Sequence, residues 1–307
     1  MKKSIYINLF SMYLKIRYVY MEIMRLKKIK SKKGVHFNLT QTQSKYVITT
    51  ESNDPKLPAL FVFCGSRGSG KTYACVAMVR HFEKMKYITR TFLICPTKQS
   101  NDIFNNLKTL NEKKDVCDDE NKCKHALSNI LTEVKREWNN YEQDVKYAQA
   151  YKRYTQKPWT TPMEDRYILE SRNFSKPIPI HRPSHLLIVD DCQGTDMYTM
   201  ARRDLMNHMT IKHRHIPLTI CYLVQSWTGL PRVIRLNATH FLIYKTGNKK
   251  QLSQIYDNFA TFVTEAQFLE VYQHATSQPY GFLYIDTDPK EPHMRFRNGF
   301  NEFFDLK

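Results

Sequence analysis

The residues best suited to chemistry stand at positions 65–72, Gly65-Ser66-Arg67-Gly68-Ser69-Gly70-Lys71-Thr72. The pattern is G-x-x-x-x-G-K-[ST], led by the apolar run Leu60–Cys64 and followed by a helix-compatible stretch, the setting this motif requires. Three glycines let the backbone curl so that its N–H groups converge. With the start of the next helix they make a nest for phosphate oxygens. Lys71 can reach β- and γ-phosphates from such a loop, and the Thr72 hydroxyl can hold Mg²⁺. A glycine-rich turn with an incidental lysine is the plainer reading, and an eight-residue pattern with all its specified positions filled, in context, weighs against it. The stretch predicts a bound nucleoside triphosphate, ATP with Mg²⁺.

Two further sites carry polar groups at the ends of apolar runs. Leu186-Leu187-Ile188-Val189 ends in Asp190 and Asp191. On a strand beside the phosphate-loop strand, Asp190 would meet Thr72 and the metal, and Asp191 could polarise an attacking water. Both aspartates would equally suit a helix cap after a strand. Gln225 follows Leu218–Val224, where an amide can sense a γ-phosphate or position a nucleophile. An ordinary strand-end glutamine is the alternative. Basic segments flank that run, Lys212-His213-Arg214-His215 before it and Pro231-Arg232-Val233-Ile234-Arg235 after it. An arginine from either could reach a neighbouring subunit's ATP, and plain surface basicity accounts for them too.

The elements that must position these groups are legible as buried strands. Residues 60–64, 91–95, 185–189, 218–224 and 240–244 are continuous apolar runs of the kind found in parallel strands covered on both faces. They alternate with helical stretches, which predicts an α/β fold with right-handed crossovers around a parallel sheet. Helix signals also mark 99–110, 196–213, 252–259 and 264–272, and a last strand is expected at 280–286. Residues 111–183 change character: a charged segment, a long polar helix candidate at 130–154, and prolines 177, 179 and 183. They read as an insertion, partly helical and mostly solvated. The expected division is an N-terminal extension with a basic arm (1–56), an ATPase domain (57–290) and a C-terminal tail (291–307).

Composition narrows the partners. The 307 residues include 47 Lys and Arg against 29 Asp and Glu, a net charge of +18, which argues for a polyanionic partner. That partner is nucleic acid or an acidic membrane face, and a merely basic surface remains the bland reading. Seven cysteines, an odd number mostly in apolar runs, suit reduced thiols inside a cell rather than a disulfide framework. Cys117, Cys123 and His125 lack a standard zinc spacing. Residues 1–24 are apolar but interrupted by Lys15, Arg17 and Glu22, so neither an integral membrane span nor a signal peptide is expected. An interfacial helix there stays open, as does a start at Met21. Residues 25–33 form a basic run that suits a nuclear address, an arm on phosphates or a solvated tail.

On GSRGSGKT (65–72), HLLIVDD (185–191), IKHRHIPLTICYLVQS (211–226) and LPRVIRLNATHFLIYKT (230–246), the chain resembles the DNA-packaging ATPases of large double-stranded DNA viruses and related elements. These form the poxvirus-type branch of the FtsK–HerA superfamily. A glutamine ending the fourth strand separates that superfamily from other P-loop proteins. Arg214-His215 before that strand, the Leu-Pro and Arg235-Leu236-Asn237 before the fifth, and PYGFLYIDT (279–287) are similar to the packaging branch. The likeness covers roughly residues 57–290 without 111–183.

The resemblance implies a P-loop NTPase with a RecA-like sheet of core order 5-1-4-3-2. It further implies a homo-oligomeric ring, a hexamer or pentamer, that hydrolyses ATP to translocate double-stranded DNA into a viral capsid. Partners would be duplex DNA, without sequence preference, and a capsid or portal-vertex protein, in a viral factory or virion of an infected cell. Position by position, Lys71 and Thr72 take the Walker A roles, Asp190 the Walker B metal role, Asp191 the catalytic acidic position, Gln225 the sensor role and Arg214 the finger. Many superfamily members carry Glu where Asp191 stands, a longer carboxylate. The rival readings are a helicase or remodeller, a membrane-associated NTP-binding adaptor anchored by residues 1–24, and, less suited to this length and charge, a small-molecule kinase.

Overall fold

The computed structural model describes residues 45–98, 102–198 and 204–306. Five strands have every residue but one buried: β1 (Leu60–Cys64), β2 (Arg90–Ile94), β4 (His185–Asp190), β5 (Leu218–Val224) and β6 (His240–Tyr244). The short β3 (Val116–Cys117) joins the edge, and β7 (Phe282–Asp286), β8 (Phe296–Asn298) and β9 (Glu302–Phe303) complete a nine-stranded sheet ordered β3-β2-β4-β5-β1-β6-β7-β8-β9. All pairings from β3 to β6 are parallel, and those from β6 to β9 are antiparallel. Counted in chain order, the five expected strands lie as 5-1-4-3-2. This is the RecA-like P-loop NTPase architecture that the family resemblance implied. The sheet runs on past residue 290 through β8 and β9.

Strand side chains alternate between two cores because successive residues point to opposite faces. Phe61 and Phe63 face α1 (Lys71–Lys84), which buries Cys75, Val79 and Phe82 against them. Leu60, Val62 and Cys64 face the other layer, built from α2 (Cys123–Gln156), α4 (Leu205–Lys212), α5 (Arg232–Asn237), α6 (Lys249–Asp257) and α7 (Glu265–Ala275). A small separate cluster joins Tyr147 and Ala150 of α2 to Leu169 of α3 (Met163–Glu170). Burying each such side chain contributes about 1.5–3 kcal/mol, and the two faces together hold β1 in the centre of the sheet.

Three expectations are corrected. Residues 102–110 do not continue a helix: a single 3-10 turn, Asp102–Asn106, gives way to a chain that pairs with the sheet, Thr91 N–H donating to Thr109 O at 2.9 Å. Backbone pairing at the edge of β2 outweighs the helical signal, and residues 99–101 lie outside the described ones. The helix expected at 196–213 is not continuous: its described residues form a 3-10 turn, Asp196–Tyr198, and α4, before which Asp204 is extended and caps Met206 N, while 199–203 lie outside the described residues.

The third correction concerns 111–183: most of it is solvated as expected, but the helix expected at 130–154 starts earlier, at Cys123, and its beginning is buried. Cys123, Leu127, Ile130, Leu131 and Val134 recur at helical spacing and sink the first half of α2 into the main core. Arg90 clamps it further, bonding Asp115, Glu133 and Glu137, while buried His185 meets Glu137 at 2.7 Å. The expectations for residues 1–33 lie outside the described residues. Among the described residues no helix is long and apolar enough to cross a membrane.

Candidate nucleotide site

Parallel strands direct their carboxyl ends to one edge of the sheet, and the order β4-β5-β1 brings three of those ends side by side. From β1 the chain enters the glycine loop. Gly65 N–H donates to Val224 O at 3.1 Å, tying the loop to the end of β5. A Cβ at Gly65 would lie 2.6 Å from the Tyr244 Cβ, so only glycine fits between β1 and β6 here. Gly70 takes φ +91 and starts α1, with no side chain accepting from the first N–H groups and no acidic residue in the first turn. Those donors and the positive end of the helix dipole are left for an anion.

Lys71 and Thr72 open α1. Buried Lys71 donates from Nζ to Gly65 O (2.8 Å) and Ser66 O (2.9 Å), and burial lowers its pKa against the opposing pull of Asp190. The Thr72 hydroxyl donates to Asp190 Oδ2 at 3.1 Å. Asp190, the last residue of β4, is 7% exposed, and burial pushes its carboxyl up to about 6 despite the Thr72 bond and the Lys71 charge. Placing a negative charge there costs free energy that a cation would offset.

Asp191 turns left-handed, φ +54, an uncommon conformation for a residue with a side chain. Its Oδ1 accepts from Gln225 Nε2 at 2.7 Å, so the second carboxylate and the strand-end glutamine are directly bonded. Arg67, Gly68, Lys71, Thr72, Thr97, Asp190, Asp191, Gln193, Leu223 and Gln225 line one cleft of about 410 Å³. The structure thus brings together Lys71, Thr72, Asp190, Asp191 and Gln225 as the sequence implied. The donor set fits the expected ligands: hard oxygens of Thr72 and Asp190 suit Mg²⁺, and Ser69 Oγ is buried in the loop with no protein partner.

Gln193 is the residue that sequence reasoning missed. Its Oε1 accepts from Gln225 N (2.6 Å) and Ser226 N (3.0 Å), and its Nε2 donates to Ser226 O (2.8 Å). One amide therefore fastens the turn after β4 to the tip of β5. The available signal was a polar residue two places beyond Asp191, next to a strand end that also carries an amide.

The candidate fingers separate. Arg235 donates from Nε to Leu230 O at 3.2 Å, and its guanidinium lies 5.7 Å from the Trp227 ring centroid, so it is committed within its own chain. Arg232 is exposed at the start of α5, and Arg214 lies on the 3-10 turn His213–His215 ahead of β5. Cys117 and Cys123 both donate to Asp119 O, at 3.6 and 3.4 Å. Among the described residues no group of three His, Cys, Asp or Glu side chains is arranged to hold a metal.

No family model matches the chain. A curated relative, the uncharacterized protein 075L of Invertebrate iridescent virus 6, is 26% identical over 109 residues, 36% of this chain. That match spans 42% of the relative's own length, less than half. Among solved structures the chain is similar to the genome packaging NTPase B204 of Sulfolobus turreted icosahedral virus 2 bound to AMPPCP, at 14% identity over 75% of this chain and 92% of that one, TM-score 0.43. It is similar to B204, the DNA-packaging ATPase of Sulfolobus Turreted Icosahedral Virus, at 16% identity over 75% and 93%, TM-score 0.45. A third is the cytoplasmic domain of the type VII secretion ATPase EccC of Thermomonospora curvata, at 12% identity over 75% and 24%, TM-score 0.41. At these identities and scores the likeness assigns no activity to this chain.

Proposed function

We propose that this chain is an ATPase of the FtsK–HerA superfamily, of the poxvirus-type packaging branch, that drives double-stranded DNA into a viral capsid as a ring of identical subunits. The observation that carries the reading is the pair of contacts Thr72–Asp190 and Asp191–Gln225 in one cleft. Together they join a phosphate loop, a metal carboxylate, a second carboxylate and a strand-end glutamine, the set that the sequence motifs of that superfamily imply.

Each residue has a task in hydrolysis. Lys71 exchanges the loop carbonyls for the β- and γ-phosphate oxygens. Mg²⁺, held through Thr72 and Asp190, would neutralise charge developing on those oxygens. Asp191 orients the water and accepts its proton, and Gln225 fixes the carboxylate through their 2.7 Å bond. Loss of the γ-phosphate then changes what Gln225 can bond, and Gln193 relays that change to Ser226 and the chain beyond β5. The net charge of +18 suits a motor that grips phosphates without reading sequence. An arginine of a neighbouring subunit, Arg214 or Arg232, would complete the transition-state charge.

The test is ATP hydrolysis by the wild type and Asp191→Asn, with and without long duplex DNA, at two salt concentrations. Strong, salt-sensitive stimulation that the variant loses supports the motor. Hydrolysis indifferent to DNA overturns it in favour of the adaptor or kinase readings. DNA-stimulated turnover that survives in Asp191→Asn keeps the motor and removes Asp191 from the chemistry.

A further inference from the structure

The phosphate loop has two sides, and the sheet order makes them unlike. On one side of β1 lie β5 and β4, which bring Gln225, Asp190 and Asp191. These are the groups that deal with the γ-phosphate and the metal, so the terminal phosphate points that way. On the other side lie β6 and then β7. A nucleotide stretched along the loop must therefore carry its base toward the β6–β7 side.

That side holds an exposed ring pressed against the loop. Tyr280, in the turn before β7, is 73% exposed. A Cβ placed on Gly70 would lie 3.2 Å from its Cδ1, 3.3 Å from its Cβ and 3.5 Å from its Cγ, so the tyrosine lies directly over the start of α1. Its backbone is held at φ +63, in the left-handed region that a tyrosine seldom adopts. The next residue explains how it stays there. A Cβ at Gly281 would lie 2.5 Å from Ala275 O, and Gly281 N–H bonds Gln278 O at 3.1 Å, so the turn is packed tight against the end of α7.

We propose that Tyr280 is the stacking platform for the nucleobase of the bound nucleoside triphosphate. The proposal rests on the nucleotide reading given above and extends it to the other end of the ligand. A solvent-facing ring on a tightly packed turn beside the loop meets a base with its backbone already placed, and every purine offers it a π-face. A platform that stacks without bonding the base edge supports ATP and GTP alike. Tyr73, 71% exposed on the first turn of α1, is the competing ring.

The experiment measures equilibrium binding of Mg·ATP and of inorganic tripolyphosphate with Mg²⁺ to the full chain. The proteins are the wild type, Tyr280→Phe, Tyr280→Gly and Tyr73→Ala. Glycine accepts the positive φ, so Tyr280→Gly removes the ring while keeping the turn. The expected result is a loss of ATP affinity of about tenfold or more in Tyr280→Gly, with tripolyphosphate affinity within about twofold of wild type. Tyr280→Phe should bind both like wild type, and Tyr73→Ala should leave ATP binding intact. Unchanged ATP affinity in Tyr280→Gly overturns the proposal, as does an equal loss for both ligands, which would make the ring a prop for the loop. A loss of ATP alone in Tyr73→Ala, with Tyr280→Gly unaffected, moves the base to the other ring. A wild-type chain that binds neither ligand sinks the nucleotide reading itself, a result distinct from all of these.

Discussion

Replacing Gln193 by alanine removes three hydrogen bonds at once, those to Gln225 N, Ser226 N and Ser226 O. At a net worth of about 1 kcal/mol each they set an upper bound of about 3 kcal/mol. The site is half-exposed, and water can replace part of what is lost, so a global cost of about 1–2 kcal/mol is expected in urea unfolding. The effect on hydrolysis should be larger in proportion. Gln225 is held at its backbone by Gln193 and at its side chain by Asp191, and loosening the first lets the second wander. A turnover number lower by about tenfold or more is expected, with the KM for ATP nearly unchanged because the glycine loop is untouched. Hydrogen exchange localises the cause: the amides of Gln225 and Ser226 should exchange faster while those of β1 do not. Gln193→Glu keeps the two accepting contacts and loses the donated one, so it should recover stability more than turnover. Wild-type turnover in Gln193→Ala, with unchanged exchange at Gln225, would refute the claim that this amide couples the two strand ends.

Other outcomes follow from burial and charge. Asp190 has a pKa raised from its ordinary range to about 6. Its contribution is therefore full at low pH and lost as pH rises through 6, so Asp190→Asn should stabilise the nucleotide-free protein by up to about 2 kcal/mol at pH 8. The same variant should lose Mg²⁺-dependent nucleotide binding, and wild-type binding should weaken below pH 6; urea melts and titrations at pH 5 and 8 read both. Arg297, buried in β8, lies 3.9 Å from Asp286, whose carboxyl burial likewise raises to about 6. Arg297→Met should cost about 3 kcal/mol at pH 8 and less at pH 5, where Asp286 carries a proton and needs no cation; equal costs at both pH values would rule that out. Arg235→Ala should lower stability by about 1 kcal/mol yet retain hydrolysis, since its contacts are internal. Loss of turnover with an intact fold would return Arg235 to the list of fingers.

What was legible in the sequence was whatever local pattern specifies alone. The glycine loop needs no partner to be read, and fully buried strands announce themselves as unbroken apolar runs, so β1, β4, β5 and β6 fall within a residue or two of expectation. Their order came from family resemblance, since nothing in the strands' composition encodes which neighbours they choose. Gln193 was invisible because its function lies in contacts made across 32 and 33 residues of chain. The left-handed turn at Asp191 was hidden for a related reason, for the residue that bonds its carboxylate, Gln225, stands 34 residues away in the chain. The first half of α2 was misjudged because its apolar stripe is narrow, and the polar second half dominated the average. The edge strands β8 and β9 carry only three and two residues, too few to show a period.

The two halves of α2 have a mechanical consequence. The helix runs 34 residues, and its first part, through Val134 and the Arg90 clamp, is fixed to the sheet beside β4. Residues 139–156 extend about 27 Å beyond that mounting. They are stiffened by α3 through Tyr147, Leu169 and the ion pairs Arg153–Asp165 and Arg172–Asp144. Such a rod is a lever with its fulcrum next to the strand that carries Asp190. Turning its base by about 10° sweeps the far end through about 5 Å, roughly the pitch of one helical turn. A rearrangement of the cleft too small to see at the carboxylates would thus become a displacement large enough to push on whatever meets the tip.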